Sequence, residues 1–362
     1  MGLINFNNEQ KMIQNEVKKF ALQEIEPIVQ EIEKNGSIPE GVFRKLNELG
    51  ILSPIIPQEL GGPGFDTTSL CIIIEELSKV CASIGLVIAV NNGLVAYSLM
   101  KSRNEKLKTY FKRLGNGELG GFDIDSDNNL QIISQNPLKI NGRSRFVLNG
   151  AYTKFMLLNI KTGDGQSLYL IESSDKFRVT NPYLLGLRSS GVADISFENL
   201  EIPDGFCLLD NQEYDTAIKE IRDYFNLCLS AVGLGIAQAS LESSIKYAKE
   251  RRQFNRPICE FPMVQEMLAE MKIKIESSRN LLYDATSRYD SKEDYKLAAK
   301  IAFTESSETA VYCGIKGVQI FGGYGYTKDY PVERYLRDAK TIQVLGQPNF
   351  VLKVNIARDL LV

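Results

Sequence analysis

Gly317-Val318-Gln319-Ile320-Phe321-Gly322-Gly323-Tyr324-Gly325-Tyr326-Thr327-Lys328-Asp329-Tyr330-Pro331-Val332-Glu333-Arg334, followed by Arg337-Asp338-Ala339-Lys340, is the stretch that decides the fold. It lies in a region, Tyr214 to the end, whose apolar residues keep helical spacing through four long segments with few breakers. That pattern reads as a helical bundle. Upstream, from about residue 120 to 209, the texture changes. Leu130-Gln131-Ile132-Ile133, Phe146-Val147-Leu148, Phe155-Met156-Leu157-Leu158 and Ser167-Leu168-Tyr169-Leu170-Ile171 are short β-favouring runs between Gly and Asn turns. They suit a small antiparallel sheet or barrel. From Asn8 to about Gly117 the spacing is helical again. Ile13, Val17, Phe20, Ala21 and Ile25 recur at three- and four-residue steps until Pro27, and Glu40 to Leu49 repeats the pattern and stops at Gly50. The expected organisation is a helical domain at 1–119, a middle β domain at 120–210 and a helical bundle at 211–362.

Composition narrows the chemistry. A chain of 362 residues, 44% hydrophobic and 24% charged, has the make-up of a soluble globular protein with a large core. A formal net charge of -3 gives no electrostatic reason to bind nucleic acid. The start lacks a signal-peptide pattern, and apolar stretches such as Ile84 to Val90 are short for a membrane span, so the expected compartment is the cytoplasm. Histidine is absent, which removes Ser-His-Asp triads, His bases and His-ligated metals. The six cysteines show no C-x-x-C pair and read as reduced thiols in apolar surroundings; no metal site is expected. Tryptophan is absent too.

The C-terminal run resembles the signature of the acyl-CoA dehydrogenases, flavoenzymes that oxidise acyl thioesters. The resemblance runs almost end to end. Ile56-Pro57-Gln58-Glu59-Leu60-Gly61-Gly62-Pro63-Gly64 is similar to the family's Pro-x-x-x-Gly-Gly-x-Gly turn. Leu187-Arg188-Ser189-Ser190 and Phe197-Glu198-Asn199-Leu200-Glu201-Ile202-Pro203 resemble the end of its middle domain. Arg251-Arg252-Gln253-Phe254-Asn255-Arg256-Pro257-Ile258 is similar to its Arg-x-x-Phe-Gly-x-x-Ile. The implied fold is α+β: an N-terminal helical domain, a small middle β-barrel or sheet domain, and a C-terminal four-helix bundle.

The resemblance implies FAD as cofactor. Arg251, Phe254, Gln319, Gly322 and Gly323 match positions that hold its pyrophosphate and adenosine half, partly across a subunit interface. An Arg at a helix end and a Gly-Gly turn also serve packing alone. The ring side departs from the family. Phe122-Asp123-Ile124-Asp125-Ser126-Asp127 keeps only the final Ser-Asp of Thr-Glu-Pro-x-Ala-Gly-Ser-Asp, which leaves Ser126 as a cofactor contact. Lys154-Phe155-Met156 stands where the family has Trp-Ile-Thr. Pro262 replaces a glutamine, and Pro348 and Phe350 replace polar residues. Each unpaired ligand group costs about 1–3 kcal/mol.

The base is missing as well. Dehydrogenation beside a thioester requires a carboxylate in reach of the α-proton while the flavin takes a hydride from the β-carbon. The family's Glu falls on Gly346 in Leu345-Gly346-Gln347-Pro348, or at its second position on Phe225, with Asn226 in place of a neighbouring Arg. Asp223, two residues from Phe225, faces another side of the helix. Tyr224 and Gln347 are poor bases at neutral pH.

Three functions are compatible with these residues. The first is a diverged flavoprotein acting on an acyl thioester of CoA or an acyl-carrier protein without the usual Glu. The second is a non-catalytic subunit completing a cofactor site with an intact paralogue. The third is a flavin-free acyl-thioester binding or redox-neutral protein. All imply a homo-oligomer or a hetero-oligomer.

Overall fold

In the computed structural model, which describes residues 6–124, 129–174 and 176–361, Asn7 caps the first helix, Asn8–Phe20. Its side chain accepts the Gln10 N–H while the Gln10 side chain accepts the Asn7 N–H, so two orphan donors are satisfied reciprocally. Pro27 has no N–H to return to the preceding turn. The backbone widens into a π turn over Ala21–Ile25 and tightens over Glu26–Ile28 before Val29–Asn35 resumes the helix. Helices Glu40–Glu48, Thr67–Val80, Ala82–Val90 and Thr109–Gly115 follow.

The middle region holds two four-stranded sheets. One orders Gly120–Phe122, Phe155–Thr162, Gly165–Glu172 and Cys207–Leu209; the other orders Asn129–Gln135, Leu138–Val147, Ala193–Ile202 and Phe177–Thr180. Met156, Leu158 and Ile160 from the first meet Ile140, Val147, Ile195 and Phe197 from the second in a separate apolar core. This is the alternation of buried side chains that sheet-on-sheet packing requires. The short strand Gly120–Phe122 pairs in parallel with Phe155–Leu157.

The C-terminal region contains helices Tyr214–Glu250, Pro262–Asp290 and Lys296–Phe321, of 37, 29 and 26 residues. The expected fourth long segment is instead two shorter helices, Val332–Ile342 and Asn349–Leu360. Pro348 disfavours helix at Gln347, and Gly346 turns the chain at φ +74°. Two helical stretches, Ala82–Lys101 and Tyr214–Glu250, reach the length and hydropathy of a membrane-crossing helix, more than the sequence reading allows for. Their apolarity has another cause: 94% of the most apolar window in each is buried in the protein.

The three regions meet at one junction. A Cβ on Gly186 would stand 2.3 Å from the Arg337 carbonyl oxygen, so only glycine permits that approach. Beside it the Leu187 N–H donates to the Asp338 carboxylate at 2.7 Å. Arg337 donates to the Leu185 carbonyl, to Glu333 and to Glu33 of the N-terminal helices. Burial pushes the Asp338 carboxyl up to about 6, against the opposing pull of the Leu187 N–H, Arg334 and Arg337. A folded pKa above the unfolded value stabilises the fold most at low pH, and that contribution is lost as pH rises from about 4 through 6. The melting temperature of the native protein minus that of Asp338→Asn therefore falls as pH is raised from 4 to 7 and then levels off. A difference that stays constant over that window would show that Asp338 does not titrate there.

Candidate functional site

The two positions that the resemblance assigns to a base, Gly346 and Phe225, lie on neighbouring elements. A Cβ on Gly346 would have only Ile124 Cδ1 and Leu229 Cδ1 within 4 Å among the described residues, both at 3.8 Å. Leu229 lies four residues beyond Phe225 on the helix Tyr214–Glu250, and so on the same face. Gly346 is exposed and Phe225 is buried. The side chains that meet Gly346 are apolar.

Phe225 is held tightly. Its Cδ2 and the Cys228 Sγ lie 3.1 and 2.8 Å from where a Cβ on Gly93 would stand. The helix containing Gly93 therefore packs directly on the Phe225 ring. Tyr224 turns the other way, stacks on Tyr97 at 4.0 Å and shares a hydrogen bond with the Thr67 hydroxyl at 3.1 Å. Asp223 points elsewhere too, with its carboxylate 3.8 Å from Lys300 Nζ. Burial raises it to about 6, with Lys300 opposing the shift. Neither neighbour of Phe225 substitutes for the base at Gly346.

The ring-side positions have taken structural roles. Lys154 is exposed, Phe155 is buried against the Tyr110 ring at 4.8 Å, and Met156 is buried in the core between the two sheets. Pro262 opens the helix Pro262–Asp290, where a missing N–H costs nothing. Gln265, the glutamine that remains nearby, donates to the Cys259 carbonyl at 3.0 Å. Ser126 lies outside the described residues.

Sequence reasoning missed Asp123 as a structural anchor. It is fully buried, and its carboxylate accepts the Ser144 hydroxyl at 2.8 Å and the Asn159 N–H at 3.2 Å. Tyr214 donates to the Asn159 side-chain oxygen at 2.7 Å. This network fixes the chain just before Ile124, which reaches Gly346. No local signal marks it, because its partners lie 21 and 36 residues away in sequence.

The other half of the candidate site is open. Arg251, at the end of the helix Tyr214–Glu250, shares a cavity of about 450 Å³ with Tyr247, Phe321, Gly322, Gly323 and Tyr324. Its guanidinium lies over the Tyr324 ring at 5.6 Å. The Gly322 N–H donates to the Gln319 carbonyl. Both Gly322 and Gly323 are exposed, with nothing within 4 Å of an added Cβ, so backbone can approach a ligand closely. Phe254 sits beside the cavity on a two-residue hairpin turn, at φ +50° with Asn255 at φ +62°, the type I′ geometry that normally selects Asn-Gly. That strained turn leaves the Phe254 ring 88% exposed. The structure thus gathers Arg251, Gly322 and Gly323 around one cavity, with Phe254 and Gln319 adjacent and exposed. A cation and open glycine backbone fit the pyrophosphate-bearing half of FAD. The ring-side side chains do not reproduce the polar contacts of the other half.

Comparisons with known proteins agree with this fold. The models for the acyl-CoA dehydrogenase N-terminal and C-terminal domains match residues 7–118 and 218–361. The probable acyl-CoA dehydrogenase YngJ of Bacillus subtilis is 33% identical over 98% of both chains. The short-chain specific acyl-CoA dehydrogenase of Clostridium acetobutylicum is 30% identical, again over 98% of each. Butyryl-CoA dehydrogenase of Megasphaera elsdenii superposes with a TM-score of 0.93 at 27% identity, covering 99% of this chain and 100% of that one. With both domain models matched and full-length relatives at this identity, the chain belongs to the acyl-CoA dehydrogenase family.

Proposed function

We propose that this protein is a diverged FAD-dependent oxidoreductase acting on an acyl thioester, of CoA or of an acyl-carrier protein, without a glutamate base. The observation that carries it is the cavity where Arg251 meets the open Gly322-Gly323 turn, a phosphate-compatible donor set in a chain similar to acyl-CoA dehydrogenases over its whole length. FAD bound there supplies hydride acceptance. The residues of this chain bind the pyrophosphate side, while Ile124 and Leu229 present an apolar surface beside Gly346. Lacking a positioned carboxylate, the reaction favours thioesters whose α-carbon is already acidified, since a base typically contributes about 10²–10⁴-fold. An oligomer suits the exposed apolar side chains Met263, Tyr326 and Phe350 of the C-terminal region.

A non-catalytic subunit role is the alternative, and one asymmetry favours it. The cavity beside Arg251 is open, whereas the wall at Phe225 is closed against Gly93. Such a chain would lend Arg251 to a partner's cofactor and hold no ring of its own.

The visible spectrum of the purified protein with added FAD separates the two. Stoichiometric flavin, bleached anaerobically by an acyl thioester, is expected for the oxidoreductase. A protein that stays colourless with excess FAD yet co-purifies with a flavin-loaded paralogue would sink it. Arg251→Gln should weaken FAD about ten- to a hundredfold in an absorbance titration, the worth of one charge-assisted hydrogen bond. Unchanged affinity would remove Arg251 from the site. Gly346→Glu places a carboxylate beside that apolar surface and should speed thioester-dependent bleaching by about 10²-fold or more. The same change should lower the melting temperature, because a side chain at this left-handed position costs about 1–2 kcal/mol. A folded, flavin-loaded variant with no gain in rate would show that proton removal does not limit the reaction.

A further inference from the structure

A second cavity, of about 1170 Å³, opens at the three-way junction, bounded by Lys79, Arg188, Lys328, Tyr330, Glu33 and Arg334 among others. Most charges on its wall are matched. Lys79 pairs with Glu76 and Glu242, Arg188 with Glu33, and Arg337 with Glu33 and Glu333. Among the described residues, four lining cations have no ion pair, Lys18, Lys34, Lys328 and Arg334, against one such carboxylate, Glu26. The wall therefore carries an excess of unmatched positive charge.

Arg334 is the telling member. It is half-buried, and its guanidinium lies 5.3 Å from the centre of the Tyr335 ring. None of its five N–H donors has a hydrogen-bond acceptor among the described residues. The nearby carboxylates are engaged: Asp338 accepts the Leu187 N–H, and Glu33 accepts from Arg337. A half-buried guanidinium whose N–H groups meet no acceptor in the protein can take one from outside, and an external oxyanion is what its planar donor set matches. The helix Val332–Ile342 begins on the same wall without a side-chain cap, so its first N–H groups add to the positive field.

We propose that this junction cavity binds a phosphate-bearing anion through Arg334, supported by Lys328, at a site separate from the Arg251 cavity. Tyr330 lines this cavity and packs on Phe321 and Tyr324 of the other, at 5.2 and 5.6 Å between ring centres. An occupant would press on the wall that the two cavities share.

Isothermal titration of the full-length protein with inorganic phosphate and with glycerol 3-phosphate, at matched chloride ionic strength, tests the site. Saturable binding of either probe, weakened about tenfold or more by Arg334→Gln and less by Lys328→Gln, is expected. Tighter binding of glycerol 3-phosphate than of phosphate would assign an organic phosphate, and equal binding free phosphate. Arg251→Gln should leave the binding intact. Absence of saturable binding at millimolar probe overturns the proposal. So does unchanged affinity in folded Arg334→Gln, or loss confined to Arg251→Gln. Should Arg334→Gln fail to fold, the combined Lys18→Gln, Lys34→Gln and Lys328→Gln protein decides, with unchanged affinity counting against the site.

Discussion

The contact of Gly186 and Leu187 with Arg337 and Asp338 is the constraint on which the arrangement of this molecule rests. A backbone approach that excludes any Cβ sets the end of the β region against the helix Val332–Ile342. The Leu187 N–H to Asp338 bond then fixes register along that helix. Arg337 ties the same point to Glu33, so one side chain spans the N-terminal helices, the β region and the bundle. Gly346 lies eight residues beyond Asp338, past the end of the same helix. Its meeting with Ile124 depends on this register, because the β region that carries Ile124 is held by the same contact.

Much of this was legible in the sequence, and the parts that were not share a cause. Helical spacing and breakers gave Glu40–Glu48 and the stop at Gly50, since 3.6-residue periodicity and a glycine at positive φ are local signals. The order of helical, β and helical regions was visible for the same reason. The pairing of Gly120–Phe122 with Phe155–Leu157 was not, because it joins strands 35 residues apart without a hairpin. The residues at the positions that the resemblance assigns to a base could be named from the run around Gly346. What fills their space could not: Ile124 and Leu229 reach Gly346 from 222 and 117 residues away. Lys154, Phe155 and Met156 read as a damaged cofactor wall. The structure shows two of the three absorbed into apolar packing.

The two halves of the proposed cofactor site differ in what each is made of. The Arg251 side is built from a helix end, a glycine turn and a hairpin, features that the bundle itself needs to change direction. Substitution there disturbs folding as well as binding. The ring side is built from side chains facing a space, and apolar replacements can fill space favourably. Phe225 against Gly93 and Cys228, with Tyr224 stacked on Tyr97, shows that filling at its densest. Apolar filling on that side therefore carries little penalty in stability, while the Arg251 side is kept by the turns of the bundle itself.

The shared aromatic wall gives the two cavities a physical relation. Tyr247 and Phe321 stack at 4.0 Å, and Tyr330 meets both edge-on at 5.7 and 5.2 Å. Each cavity presents an arginine, Arg251 on one side and Arg334 on the other, with tyrosine rings between them. Packed rings transmit displacement because an interior of this density does not compress. A ligand that moved Tyr330 would press on Phe321, next to the turn at Gly322 that borders the Arg251 cavity. Coupling of this kind is reciprocal in binding free energy. Any anion held at Arg334 that alters cofactor affinity would have its own affinity altered by the cofactor to the same degree.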